Sequence, residues 1–294
     1  VIAATVWAFL WGPIGLVMST PLTICLVVLG RHIDRLQFLD VLLGDRPALE
    51  PYEVFYQRML AGDPAEAATQ AREFLQERSL STYYDEVALN AIRRAHQDVV
   101  RGSVAGPRLE RMVASSRALV DALNTAESYS KRRRPASAEA AAAIARFSNE
   151  RSLTRERVER GRLAAAWQGA HPVVVLYGEH PLDEAPARML AQVIERYGLP
   201  VLVESMKNAS SATDQDAAGV KLVFLSFIEP LSTLHLRAAS FQVHRRCPEA
   251  AVVLCIWQES EPAFIANLRK QLRVEGVATT TIQALEQAKR LAGG

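Results

Sequence analysis

Hydrophobic and polar positions are distributed in three different ways along this chain, and each regime predicts a different kind of structure. Residues 1–30 carry no charged side chain, and the run ends abruptly at Arg31, His32 and Asp34. From there to about residue 167 the apolar positions recur at helical spacing. Beyond His171 and Pro172, short β-branched runs alternate with amphipathic stretches, as strands and helices do in βαβ units.

An uncharged run of more than 18 residues followed at once by cations predicts a segment embedded in a bilayer. Thirty helical residues would reach ~45 Å, well beyond the ~30 Å of hydrocarbon, so a break inside the run is expected. Trp11, Gly12, Pro13, Ile14 and Gly15 supply it. Pro13 lacks a backbone donor and pushes Gly12 out of the α region, and both glycines tolerate unusual dihedrals. The break fits the join between two membrane elements, a re-entrant hairpin or a loop at the membrane surface, with Trp7 and Trp11 at interfacial depth. No basic stretch precedes the run, so a signal peptide is not expected, and further spans upstream are. Arg31 and Arg35 then place the rest of the chain on the cytoplasmic side of the membrane.

The second regime reads as helices. Leu36, Leu39, Leu42 and Leu43 form one apolar stripe that Gly44 and Pro47 terminate. A helix over 51–61 is followed by Gly62, Asp63, Pro64 and Glu66, a helix stop, an N-cap, a first-turn proline and a capping-box acid in order. The pair is an αα-hairpin, and no second copy at the tetratricopeptide period turns it into an array. A third helix is expected after Ser81, with Thr82 and Asp85 at capping-box spacing and Val87, Ala91, Ile92, Ala95 and Val99 on its apolar face. Tyr83 to Glu86 together with His96 and Asp98 invite a metal reading. Acids in a first helical turn are dipole partners, however, and His96 has no second ligand at i+4, so no metal site is expected. Lys131, Arg132, Arg133, Arg134 and Pro135 form a cationic run without aromatic interleaving. It reads as a solvated linker and not as a nucleic-acid or lipid patch.

In the third regime, strands are expected at 173–177, 201–204, 220–228, 251–257 and 277–282, with helices between them and one after the last. That alternation predicts a parallel, doubly wound α/β sheet whose ligand crevice lies past the strand C-termini. His180, Ser205, Ser226 and Ser260 are the candidate crevice residues. No glycine-rich dinucleotide loop, P-loop, H-E-x-x-H or G-x-S-x-G is present, and Glu179 stands without the second acid that a phospho-receiver needs. An enzyme is therefore not expected. Three cysteines, Cys25, Cys247 and Cys255, stand far apart with no C-x-x-C pair, so neither zinc nor a disulfide framework is implied. The formal net charge of +2 gives no reason to expect nucleic acid.

Residues 9–22, Phe-Leu-Trp-Gly-Pro-Ile-Gly-Leu-Val-Met-Ser-Thr-Pro-Leu, resemble the last membrane segment of the autoinducer-2 exporter family of multi-span permeases. Residues 39–47 and 55–63 resemble the cytoplasmic extension that some members carry. The resemblance implies a bacterial cytoplasmic-membrane transporter that exports small polar solutes or exchanges cations. Trp11, Gly12, Pro13, Gly15 and Pro21 are the residues carried over as its helix-break motif. The last domain resembles a flavodoxin-like, cobalamin-domain-like module without the glycine expected shortly after its ligating histidine, so no cofactor is implied.

The expected organisation is a membrane segment at 1–33, an all-α cytoplasmic domain at 34–128, a charged helical linker at 129–167 and an α/β domain at 168–294. Its expected partners are membrane lipid, the upstream spans and a second copy of the chain. A second function class fits the same pattern: a membrane-tethered sensor or scaffold whose α/β domain binds a ligand or partner.

Overall fold

The computed structural model describes residues 5, 7–14, 17–20, 25, 49–130, 167–209, 219–229, 232–258, 262–272 and 274–293. They fall in two compact units, Val1–Pro51 and Tyr52–Gly294.

In the first unit, residues 7–14 and 17–20 are helical. Gly12 is left-handed, at φ +62, and is followed by Pro13, which interrupts regular helical geometry at that point. Trp7 and Trp11 pack with ring centroids 5.6 Å apart. Gly15 and Pro21 lie outside the described residues. Among the described residues no helix is long and apolar enough to cross a membrane. This corrects the expectation of a transmembrane segment at 1–33, and with it the assignments to a membrane permease and to the cytoplasmic membrane. A span must carry all of its backbone groups through ~30 Å of hydrocarbon within one continuous helix.

The second unit opens, from Tyr52, within α1 (Pro51–Ala61), and α2 (Pro64–Glu77) follows. Gly62 adopts φ +75, and the Asp63 carboxylate accepts the Glu66 N–H at 3.1 Å, so this hairpin is built as its sequence is spelled. Then come α3 (Leu80–Tyr83), a π-helical turn (Tyr84–Ala88), α4 (Leu89–Val100) and α5 (Pro107–Ser130). The start of α3 differs from the sequence expectation: Ser79 is the N-cap, accepting from the Thr82 N–H at 3.1 Å.

The remaining elements are β1 (Val173–Tyr177), α6 (Glu184–Tyr197), β2 (Val201–Ser205), α7 (Met206–Ala209), β3 (Leu222–Phe227), α8 (Thr233–Arg246), β4 (Ala251–Ile256), α9 (Pro262–Leu272), β5 (Gly276–Ala278) and α10 (Thr281–Ala292). All five strands are parallel, in the order β2-β1-β3-β4-β5. Runs such as Val173-Val174-Val175-Leu176 suit this position because a parallel strand is buried on both faces.

Alternation sorts the strand residues between two cores. Val174, Leu176, Val223, Leu225, Val252 and Leu254 pack with Leu236 and Val243 of α8 and with Leu268 of α9. Val173, Val175, Phe224, Val253 and Cys255 face the other way, toward α6 and α10. Their core continues without a break into Phe55, Met59, Tyr83, Tyr84, Leu89 and Ile92 of the helical layer. The fold class is corrected accordingly. In place of a membrane segment, a separate all-α domain and an α/β domain, helices and sheet share one core in a single compact unit.

Candidate functional site

The C-terminal ends of β1, β3 and β4 converge on the loop that follows β1. Gly178 donates its N–H to Ser226 O at 3.2 Å, which brings the loop against β3. A Cβ at Gly178 would stand 2.8 Å from the Phe227 ring and collide with the Asp183 carboxylate, so the approach requires glycine. Asp183 occupies the N-cap position of α6 but makes no capping bond there. Its Oδ2 accepts the His180 N–H at 3.2 Å and its Oδ1 accepts the Ile228 N–H at 2.9 Å, which ties the loop to the end of β3. Burial pushes the Asp183 carboxyl up to about 6, against the pull of those two backbone donors.

The helical layer reaches the same place from above. His96 of α4 meets His180 edge-on, with ring centroids 4.7 Å apart, and its Nδ1 lies 3.5 Å from Glu229 Oε2. Burial, and secondarily the neighbouring His96, depress the His180 pKa to about 4. His96 is lowered as well, by burial, with Glu229 opposing. Both rings are therefore neutral at pH 7. One turn back on α4, Arg93 donates to Trp257 O just past β4 and to Thr279 O past β5 at 3.4 Å. Trp257 is fully buried, and its indole N–H donates to Ser226 Oγ at 2.8 Å.

The π-helical turn aims two more polar groups into this seam, a common use of such turns. Asp85 accepts the N–H groups of Thr281 at 2.6 Å and Ile282 at 3.3 Å, at the start of α10. Tyr84 donates its hydroxyl to Gln192 of α6, whose amide donates onward to Val120 O at 3.2 Å.

Of the residues singled out from sequence, His180 stands in this constellation. Ser226 lies beneath it, sealed under Trp257. Ser205 is at the end of β2, where its hydroxyl accepts the Lys207 N–H at 3.3 Å and Lys207 Nζ lies 3.4 Å from Glu179. Ser260 is outside the described residues. Arg93, His96, Asp85 and Asp183 are contributors that sequence reasoning did not place here. Asp183 was findable, as an acid three residues beyond the strand-end histidine. For the other three no local signal exists, because their partners lie far along the chain.

Chemically, the arrangement offers two neutral imidazoles, one buried carboxyl and exposed acids. The Ser226 hydroxyl is already an acceptor for indole and has no base beside it. Among the described residues no group of three or more His, Cys, Asp or Glu could hold a metal ion.

No family model and no curated protein matches the chain. Among solved structures it aligns with a protein described as a novel cobalamin-binding protein from Desulfitobacterium hafniense DCB-2. The identity is 11%, the coverage 83% of this chain and 99% of that one, and the TM-score 0.34. A likeness at that score assigns neither fold nor ligand.

Proposed function

We propose that this chain is a non-catalytic sensor or scaffold module whose α/β portion binds a ligand or partner at the seam between α4 and the strand C-termini. One observation carries the reading. The loop that a doubly wound sheet turns toward its ligand is met by a second element of the same chain, with His96 over His180 and Glu229 beside them. An occupant of the seam parts His96 from His180, and α4 passes that displacement to the helical layer with which it shares a core. A ligand that favours the parted arrangement thereby shifts the population of the whole layer. Absence of a nucleophile with a base at the described strand ends favours binding over chemistry. Transport finds no support among the comparisons.

Cobalamin is not the ligand proposed. Leu182 donates its N–H to His180 Nδ1 at 3.2 Å, so the neutral ring carries its proton on Nε2 and presents no ring lone pair to a metal. Pro181 to Ala185 also lack the glycine that such a loop has after its histidine.

The test is imidazole NMR of the ¹⁵N-histidine-labelled chain against a panel of polar metabolites, with hydroxocobalamin followed separately by its corrin absorbance. Compounds that shift His96 and His180 together support the seam as the site. Binding that leaves both rings unmoved, turnover of any compound, or a corrin change that His180→Ala removes overturns the proposal.

A further inference from the structure

A second surface, unconnected with the seam, lies along the β5 edge of the sheet. Among the described residues, strand β5 pairs only with β4, through Val253, Leu254 and Cys255. Ala251 and Trp257 of β4 donate their N–H groups to Lys221 O and Phe227 O on the β3 side, so in a parallel ladder Val252, Leu254 and Ile256 turn theirs toward β5 and, in the observed register, meet the backbone groups of Gly276 and Ala278. Those of Val277 turn outward. The strand itself carries no charge, whereas the opposite edge strand, β2, holds Glu204, the kind of residue that guards a sheet edge.

A groove of about 700 Å³ runs along this edge between α9 and α10, with Ile265 and Val277 among its walls and Arg269 and Lys270 on its rim. No acidic residue lines it, and neither cation has an ion-pair partner among the described residues. Glu275, the nearest acid in sequence, is committed inward, its carboxylate accepting the Val252 N–H at 2.5 Å. What covers Gly276 is the flexible end of Gln287, whose Oε1 accepts from Arg290 at 2.6 Å and adds a third cation beside the groove.

We propose that the β5 groove binds an extended acidic peptide of a partner protein, which joins the sheet as a sixth strand. Backbone pairing with the N–H and C=O of Val277 supplies the attachment, apolar side chains of the peptide fill the floor along Ile265 and Val277, and its acids meet Arg269 and Lys270. This is strand addition with charge selection. Gln287 swings aside, a movement open to a long side chain held at its tip.

The experiment is fluorescence anisotropy on the full chain with a fluorescein-labelled seven-residue peptide that alternates valine and glutamate. Saturable, salt-sensitive binding is expected, weakened by about tenfold or more in R269E/K270E, for the valine and lysine counterpart, and for a peptide N-methylated at alternate amides. Circular dichroism of the double variant confirms that it folds. No saturation up to about 1 mM, undiminished binding of the N-methylated peptide, or full affinity in the double variant overturns the proposal. A concentration-dependent dimer that R269E/K270E abolishes, and that the peptide does not displace, also overturns it by making a second copy the occupant.

Discussion

Asp183 and Ile228, 45 residues apart in the chain, meet where the carboxylate Oδ1 accepts the Ile228 N–H at 2.9 Å. That bond closes the loop between β1 and α6 onto the end of β3. It also keeps a carboxyl group away from water, and this gives the site a measurable acid signature.

The folded pKa of Asp183, about 6, lies above its unfolded value of roughly 3.9. The native state therefore holds this proton more tightly. Its stabilising effect is complete below about pH 4 and is lost as pH rises through 6. Asp183→Asn cannot ionise, so the stability difference between wild type and variant changes by on the order of 3 kcal/mol across that window. Urea melts at a series of pH values read it directly. A difference that stays constant from pH 4 to 6.5 contradicts the burial argument.

His180 slopes in the opposite direction. Its folded pKa, about 4, is below the unfolded value of about 6.5, so the unfolded chain binds more protons between the two. The contribution of the neutral ring is intact above pH 6.5 and is lost as pH falls toward 4. Imidazole NMR should show His180 titrating below pH 5, with a higher midpoint in His96→Ala. An ordinary midpoint near 6.5 in the wild type would refute the packing of His96 on His180.

Gly178→Ala places a methyl group 2.8 Å from the Phe227 ring and onto the Asp183 carboxylate. Overpacking of this kind costs about 1–3 kcal/mol, and here it should also loosen the His180 loop. The check is a fall in thermal midpoint together with faster amide exchange at His180 and Ile228. A variant as stable as wild type would show that the loop does not need its close approach.

Arg93→Met keeps the aliphatic stem and removes the donors that Trp257 O and Thr279 O share. Hydrogen bonds to a charged group are worth about 1.5–3 kcal/mol each, so a loss of about 2 kcal/mol or more is expected. Exchange should accelerate first in α4, as that helix lifts from the sheet. Protection unchanged in α4 would mean that apolar packing alone holds the layer down.

The strands were legible in the sequence because parallel strands must be apolar on both faces, and runs such as Val173 to Leu176 or Val252 to Ile256 admit little else. The Gly62 to Glu66 punctuation was legible for a similar reason, since each residue acts within one turn of itself. Asp85 was misread where that locality fails. It has the spacing of a capping-box acid for its own helix, yet its carboxylate serves Thr281 and Ile282. The fifth strand was drawn too long because Thr280 and Thr281 look like strand residues and instead cap and begin α10. In the site, His180 could be found by its position after a strand, whereas Arg93 reaches a carbonyl 164 residues away. The uncharged opening run misled most: hydropathy counts residues, while among the described residues no helix is long and apolar enough to cross a membrane.

The Asp85 contact bears on the order in which the chain can fold. The acid that finishes the start of α10 lies 196 residues before the amide it receives. During synthesis α10 thus waits on a segment made 196 residues earlier, and its first turn cannot be completed by neighbours alone. Pairings of such long separation slow folding and bind distant parts into one cooperative transition. The helical layer and α10 should then melt together, and a chain halted before Thr281 should leave the Asp85 carboxyl with nothing to cap.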